Sequence, residues 1–257
     1  MNAVSASDLN FSIAMPVGAW HSLLPEALAS LTTHEIPVET AFLDASGDPR
    51  VARAADASGL SFAYRRAGPD AGQSAAIAEG WRETGGGILG WLNADDLLVD
   101  GALDLAAAAF AADPELDVFY GDTVIIDAQG RDLGRHGQVA DIGPLLRRSN
   151  IISQPSCFAR RRTVEAIGGI DETLRFTMDW DLWVRLYEAG AKFQRTQAVL
   201  SRVYWGPETK TASLSVDRLG EMVRIVRRHA GPWSAAKTVM AAIGHGLLEH
   251  PRRRSVQ

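Results

Sequence analysis

Gly87-Ile88-Leu89-Gly90-Trp91-Leu92-Asn93-Ala94-Asp95-Asp96 is an apolar run that ends on two adjacent carboxylates. Its apolar residues Ile88, Leu89, Trp91 and Leu92 are continuous rather than alternating. That is the pattern of a strand covered on both faces in a parallel sheet. Such strands deliver their C-terminal ends to the ligand crevice. Two carboxylates there either hold a cation or form a solvated acidic turn. They are not needed to cap the next helix, because Asp100 stands before the helical run Gly101–Phe110.

Upstream, strands alternate with helices. Phe11–Met15 reads as a strand ending at Pro16, and the helix after it runs to about Leu31 with Leu24, Ala27, Leu28 and Leu31 on one face. Pro25 is tolerated only near a first turn, so that helix starts around Ser22 to Leu24. Val38–Leu43 is a strand, Arg50–Ser58 a helix, Leu60–Tyr64 a strand, Gly68–Gly72 a turn and Gln73–Thr84 a helix. This alternation predicts a right-handed βαβ parallel sheet. The loops beginning at Pro16, Asp44 and Asp95-Asp96 then share one edge and make one site. None contains a Gly-x-Gly-x-x-Gly or Walker loop, which disfavours a dinucleotide dehydrogenase or P-loop enzyme.

Downstream the rhythm changes. Asp117–Asp122 and Thr123–Asp127 read as strands, with a turn at Ala128–Gly130 that suggests a hairpin. Ile142–Arg148 is a short helix, Ser153–Phe158 is extended, and Arg160–Ile167 is a helix closed by Gly168-Gly169. Asp179–Ala189 is a helix with Leu182, Leu186 and Ala189 inward and Gly190 as its stop. Lys192–Thr196 and Val199–Trp205 are strands. Two tail helices, about Val216–His229 and Ser234–Glu249, are split by Gly231-Pro232.

The 257 residues are 46% hydrophobic and 22% charged, which suits one large domain with or without an appendage. A net charge of −5 argues against general nucleic-acid binding. The single cysteine, Cys157, excludes an internal disulfide or Cys-rich metal site and suggests a reducing compartment. Met1–Asn10 is polar and does not read as a signal peptide. The longest apolar runs, such as Leu105–Ala112, fall far short of the ~20 residues that span a bilayer. A soluble or peripheral protein is expected.

Three motifs in order resemble family 2 of the glycosyltransferases, of the GT-A fold type, in the branch acting on bacterial surface polysaccharides. They are Gly72-Gln73-Ser74; Trp91-Leu92-Asn93-Ala94-Asp95-Asp96 with Gly101-Ala102-Leu103; and Gln154-Pro155-Ser156 followed by Gly168–Glu172 and Met178–Trp183. The resemblance spans roughly residues 11–211. It implies a Rossmann-like, mostly parallel α/β sheet with flanking helices over 1–211, and a basic helical extension over 212–257. It also implies that Pro16, Asp44 and Asp70, with Gln73, Asn93 and Asp95, hold a nucleotide-diphosphate sugar. Asp95 and Asp96 would carry Mn2+ or Mg2+ at the D-x-D-type position, and Asp179 would be the catalytic base of an inverting single displacement. The chemistry is self-consistent. Carboxylate oxygens suit such a cation on the leaving diphosphate. The base must stand on the far side of the sugar C1, on a distant segment.

Each assignment has a rival. Asp44 and Asp70 also suit turns. Asp179 and Asp181 both stand at a helix start; Asp179 is taken as base and Asp181 as a structural cap. Gln154 either faces the sugar or caps a strand, and Trp183 either lines the acceptor site or packs in the core. Trp91 and Cys157 are expected in the core, His21 and His34 at the surface. Relatives place an Arg-x-His-Pro-like segment after the last strand. Here Tyr204–Thr211 has no histidine, Gly206 takes its place, and Lys210 remains as a candidate phosphate contact. The tail carries Arg218, Arg224, Arg227, Arg228 and Arg252–Arg254 beside apolar faces. It packs on the domain, makes a dimer contact, or meets anionic lipid.

The expected function is therefore sugar transfer from a UDP- or GDP-type donor to a glycan acceptor, lipid-linked and facing the cytoplasm. The protein would be cytoplasmic, or peripheral at the inner membrane through its C-terminal helices. A sugar nucleotidyltransferase would need a Gly-rich, basic N-terminal phosphate loop, and Phe11–Trp20 has neither feature. A catalytically weak nucleotide- or glycan-binding partner in a biosynthetic complex is the alternative.

Overall fold

The structure, a computed structural model, describes residues 9–136, 139, 142–206 and 215–249, with the backbone alone over 241–249. In chain order the elements are β1 (Phe11–Val17), α1 (Leu24–Ser30), β2 (Val38–Asp44), α2 (Pro49–Ala57), β3 (Tyr64–Ala67), α3 (Gln73–Arg82), β4 (Ile88–Trp91), β5 (Asp96–Leu98) and α4 (Ala102–Ala112). Then come β6 (Val118–Ile126), β7 (Asp132–His136), α5 (Gly143–Leu146), a 3-10 turn at Gln154–Ser156, β8 (Cys157–Arg160), α6 (Arg161–Ala166), α7 (Met178–Glu188), β9 (Phe193–Tyr204), α8 (Val216–Ala230) and α9 (Pro232–Glu249).

The expected parallel half is present, in the order β3-β2-β1-β4. Its inner strands β2, β1 and β4 are buried on both faces. Ala14, Ala41, Leu43, Leu89 and Trp91 join one core with α3 and α7. Ile13, Met15, Phe42 and Ile88 join the other with α1 and α4. Two-sided burial, at roughly 1.5–3 kcal/mol per large apolar side chain, is why these strands read as continuous apolar runs. Gly90 interrupts the run because a Cβ there would press on Ile13 and Phe158. Beyond β4 the sheet continues β8-β6-β9-β5, with β6 and β9 parallel and β4/β8, β8/β6 and β9/β5 antiparallel.

Several boundaries differ from the sequence reading. β1 runs through Pro16 to Val17. The Ala14 carbonyl accepts from Leu92, so by alternation Pro16 faces the same side, where β4 has already ended at Trp91. No hydrogen bond is lost to its missing N–H. β3 starts at Tyr64, where Leu60–Tyr64 was expected, because this edge strand is polar and half-exposed while Leu60 and Phe62 pack into the core ahead of it. Gly101, at φ 72°, rather than Asp100, stands at the N-terminus of α4. The two strands read over 117–127 form the single β6, which pairs with β7 as the hairpin. The two read over 192–205 form β9. Irregular register around Gly121 joins β6 to β9, and a Cβ at 121 would collide with Leu200. Ala189 falls just past α7 and is exposed.

Gly231, at φ 85°, breaks the tail between α8 and α9. Ile225, Val226 and Ala235 bury into the same core as α7. Trp233 and Met240 are exposed, and Arg252–Arg254 lie outside the described residues. Among the described residues no helix is long and apolar enough to cross a membrane.

Candidate active site

β1, β2 and β4 end on one edge, with Val17 beside Asp44 and Ala14 beside Trp91. Asp44 is buried there. Its Oδ1 accepts from the Ser46 backbone amide at 2.9 Å and from Ser46 Oγ at 2.6 Å, which is the Asx-type turn of the rival reading. Asp70 likewise closes its turn on the Gly72 amide at 2.9 Å, and Arg66 approaches it at 3.3 Å. Pro16 is buried at the end of β1.

The centre of the site is a chain of side-chain amides. Gln73, at the start of α3, donates Nε2 to Asn93 Oδ1 at 2.7 Å. Asn93 donates Nδ2 to Asp96 Oδ2 at 2.9 Å. Gln154 donates to the Trp91 carbonyl at 2.7 Å, and its Oε1 lies 3.5 Å from Asn93 Nδ2. A tight turn, closed by the Asp96 amide on the Asn93 carbonyl at 3.2 Å, follows β4. Asp96 then opens β5 opposite Val203 of β9. Four of the expected residues, Gln73, Asn93, Asp96 and Gln154, are thereby assembled from three segments, with Asp95 half-buried beside them.

Asp96 is 4% exposed. Burial first, then the Asp95 charge, push its carboxyl well above the usual range; the Asn93 amide and the Tyr204 backbone amide oppose this. A divalent cation would relieve both pressures. Among the described residues no group of three or more His, Cys, Asp or Glu is placed to hold one. The two neighbouring carboxylates Asp95 and Asp96 are chemically suited to share such a cation with diphosphate oxygens and water.

Asp179 stands in the first turn of α7. Asn150 Nδ2 donates to its Oδ2 at 2.7 Å. Burial pushes its pKa up; the Asn150 bond, the amides of Trp180 and Asp179, and the Arg218 charge pull it down. The Asp179 charge in turn helps to raise Cys157, itself buried, three residues beyond Gln154. The base candidate and the amide chain therefore lie on opposite ends of one short segment.

Three expectations are corrected. Asp181 is not a cap: it is buried and pairs with Arg185 at 2.6 Å, while Arg185 also donates to the Ile167 and Gly169 carbonyls and so ties the Gly168-Gly169 turn to α7. Trp183 is not an acceptor platform. It is 1% exposed and stacks on Trp91 with centroids 5.9 Å apart, so no ring face is open to a sugar. His34, expected at the surface, has a fully buried side chain. Lys210 lies outside the described residues. Next to that stretch a Cβ on Gly206 would run into the Tyr204 ring, which itself packs on His21 at 4.6 Å.

Sequence reasoning missed Asn150, Arg66, Arg218 and Glu221. Arg66 bridges Asp70 and Glu79. Arg66 stands only four residues from Asp70, and Arg218 was visible only as one of the basic residues of the tail; Asn150 and Glu221 reach their partners through the tertiary fold.

No family model matches this chain. Over 211 residues, 79% of its length, it is 30% identical to the O-antigen biosynthesis protein RfbC of Myxococcus xanthus, and it spans 16% of that protein. Among solved structures, S. aureus TarS 1–349 in complex with UDP-GlcNAc has a TM-score of 0.66 at 16% identity, covering 86% of this chain and 66% of that one. The mannosyltransferase PcManGT from Pyrobaculum calidifontis, in complex with GDP-Man and Mn2+, has a TM-score of 0.60 at 14% identity, covering 96% and 80%. In fold the chain is similar to TarS and to the mannosyltransferase PcManGT, and in sequence to part of an O-antigen biosynthesis protein.

Proposed function

We propose that the chain moves a sugar from a UDP- or GDP-type nucleotide-diphosphate donor to a glycan hydroxyl in bacterial polysaccharide biosynthesis, with inversion at C1. The observation that carries this reading is the Gln73–Asn93–Asp96 hydrogen-bond chain, with Gln154 against it, at the end of the central strand. The complexes of TarS with UDP-GlcNAc and of PcManGT with GDP-Man and Mn2+ support it by analogy.

Pro16, Asp44 and Asp70 take the nucleoside end of the donor, and Gln73, Asn93, Asp95 and Lys210 its diphosphate side. Asp96 and Asp95 would hold a Mn2+ or Mg2+ ion, whose chemistry is to neutralise charge growing on the diphosphate. Asp179 accepts the proton of the acceptor hydroxyl. The acceptor oxygen bonds to C1 from the face opposite the diphosphate, and the C1–oxygen bond to the diphosphate breaks. The raised proton affinity of Asp179 suits this task, because a base poised nearer the working pH transfers protons more effectively. Gln154 orients the sugars between the two groups.

Membrane contact, on the cytoplasmic side, is part of this reading. Arg224, Arg227 and Arg228 line an open groove of about 550 Å³ on α8, and α9 exposes Trp233 and Met240. Cations beside an exposed aromatic suit an anionic bilayer surface, where a lipid-linked acceptor would lie. Sedimentation with phosphatidylglycerol vesicles, and none with phosphatidylcholine vesicles, is the expected result.

The main test is calorimetric titration of UDP and GDP, with and without Mn2+, on wild type and Asp96→Ala. Metal-dependent binding of one nucleotide, lost in the variant, is expected; binding of neither would end the transferase reading. Asp179→Asn should then retain nucleotide binding and lose sugar-nucleotide hydrolysis. A non-catalytic binding role, which the histidine-free stretch at Gly206 favours, predicts no hydrolysis even in the wild type.

A further inference from the structure

The helix that carries Asp179 does not cap itself. Thr177, at its N-terminus, makes no side-chain bond to the first turn of α7. Helix entries leave several amides without intrahelical partners, and a buried amide left so is costly. Here the acceptor comes from the tail. The Glu221 carboxylate of α8, 8% exposed, receives the backbone amides of Arg175 at 2.8 Å, Phe176 at 2.9 Å and Thr177 at 3.1 Å, and the Thr177 hydroxyl at 3.0 Å. Four bonds converge on one charged group two residues before Asp179. One turn earlier, on the same face of α8, half-buried Arg218 stands close enough for its charge to act on Asp179.

A helix docked only for stability would need no more than its apolar contacts, and α8 has these in Ile225 and Val226. Near its start its polar contacts fall on the three residues leading into the base-bearing turn, while His229 near its end pairs with Glu188 at the close of α7. The opposite wall of that segment is pinned as well, by Ser74 of α3 bonding the Leu174 carbonyl. The segment 174–177 is therefore held between the donor-side helix α3 and the tail.

We propose that α8 is part of the catalytic apparatus: Glu221 is a positioning residue that fixes the entry into α7. This rests on the reading of Asp179 as the base. Besides Arg218, two groups face that carboxylate, Asn150 from the loop after α5 and Cys157 from β8; neither belongs to the tail.

In the full chain, Glu221→Gln keeps the shape and loses the charge. Exchange of the 175–177 amides should quicken by about tenfold, the scale of one charge-assisted bond. Hydrolysis of UDP-GlcNAc or GDP-Man, whichever the wild type accepts, should fall by a similar factor, with UDP or GDP affinity unchanged. Glu221→Asp should restore part of the rate. If Glu221→Gln folds poorly, Glu221→Asp, which keeps the charge and shortens the reach, carries the same two readouts at intermediate size. An inert Asp179→Asn beside Glu221 variants with unmoved exchange and unmoved hydrolysis would overturn this proposal alone. Full hydrolysis by Asp179→Asn would bring down the base assignment instead.

Discussion

Asn150 donates its side-chain amide to Asp179 at 2.7 Å. The bond favours the ionised carboxylate, against burial, which disfavours it. Asn150→Ala should therefore raise the Asp179 pKa. A base works only when ionised, so activity would be lost at a higher pH as the solution is acidified. The rate near pH 7 should change little. The rate near pH 5 should fall by several-fold, up to about tenfold if the acid limb moves by a whole pH unit. A pH–rate profile of sugar-nucleotide hydrolysis measures this. An unmoved acid limb would separate Asn150 from the chemistry.

Asn93 serves Gln73 and Asp96 at once. Asn93→Leu leaves the buried Asp96 carboxyl with one fewer donor and takes one acceptor from Gln73. The expected cost is about 1–3 kcal/mol of stability, read by denaturant unfolding. Mn2+-dependent nucleotide affinity should drop by about tenfold, read by calorimetry.

Trp183 lies between α7 and β4, stacked on Trp91. Trp183→Ala should lose about 3–5 kcal/mol, the usual cost of emptying a large core site. Trp183→Phe, a smaller loss of volume, should lower the melting temperature while nucleotide affinity and hydrolysis rate per folded molecule stay at the wild-type level. A sugar-binding Trp183 would give the reverse: full stability with weakened acceptor use.

His34 has a fully buried side chain, with Nδ1 3.9 Å from Asp104. Burial pushes its pKa below 6.5, although Asp104 and Asp100 pull it upward. The unfolded chain takes a proton near pH 6.5 and the folded one resists it, so the unfolded state binds more protons below that value. Stability should be complete above pH 6.5 and fall as the pH drops through the depressed folded value. His34→Leu should flatten that part of the curve, measured as melting temperature between pH 7.5 and 5.

The parallel half of the sheet was legible because burial on both faces forces an unbroken apolar run, as in Ile88–Leu92. β3 slipped by four residues because an edge strand carries no such demand, and Leu60 and Phe62 supplied the apolar signal from outside it. β6 and β9 each looked like two strands because a register shift around Gly121 leaves no mark on composition. In the site, Gln73, Asn93, Asp96 and Gln154 could be picked out as motif residues, and the fold gathers them. Asn150, Arg218 and Glu221 could not. Glu221 lies 44 to 46 residues from the amides it holds, and nothing near it in sequence distinguishes it from a solvated glutamate. Trp183 could be read either way, since an indole in a helix suits a core and a binding face alike.

β9 is the strand that joins β5 to the rest of the sheet. It pairs with β6 along most of its length and with β5 at Asp96–Val203, and the Tyr204 amide is among the donors that seat Asp96. A ribosome-bound chain that has exposed β1 to β8 already carries every aspartate of the donor site, yet lacks the strand that holds one of them in place. The site should come into being only after residue 204 has left the exit tunnel, so a nascent chain stalled earlier would be unable to capture the nucleotide sugar around it.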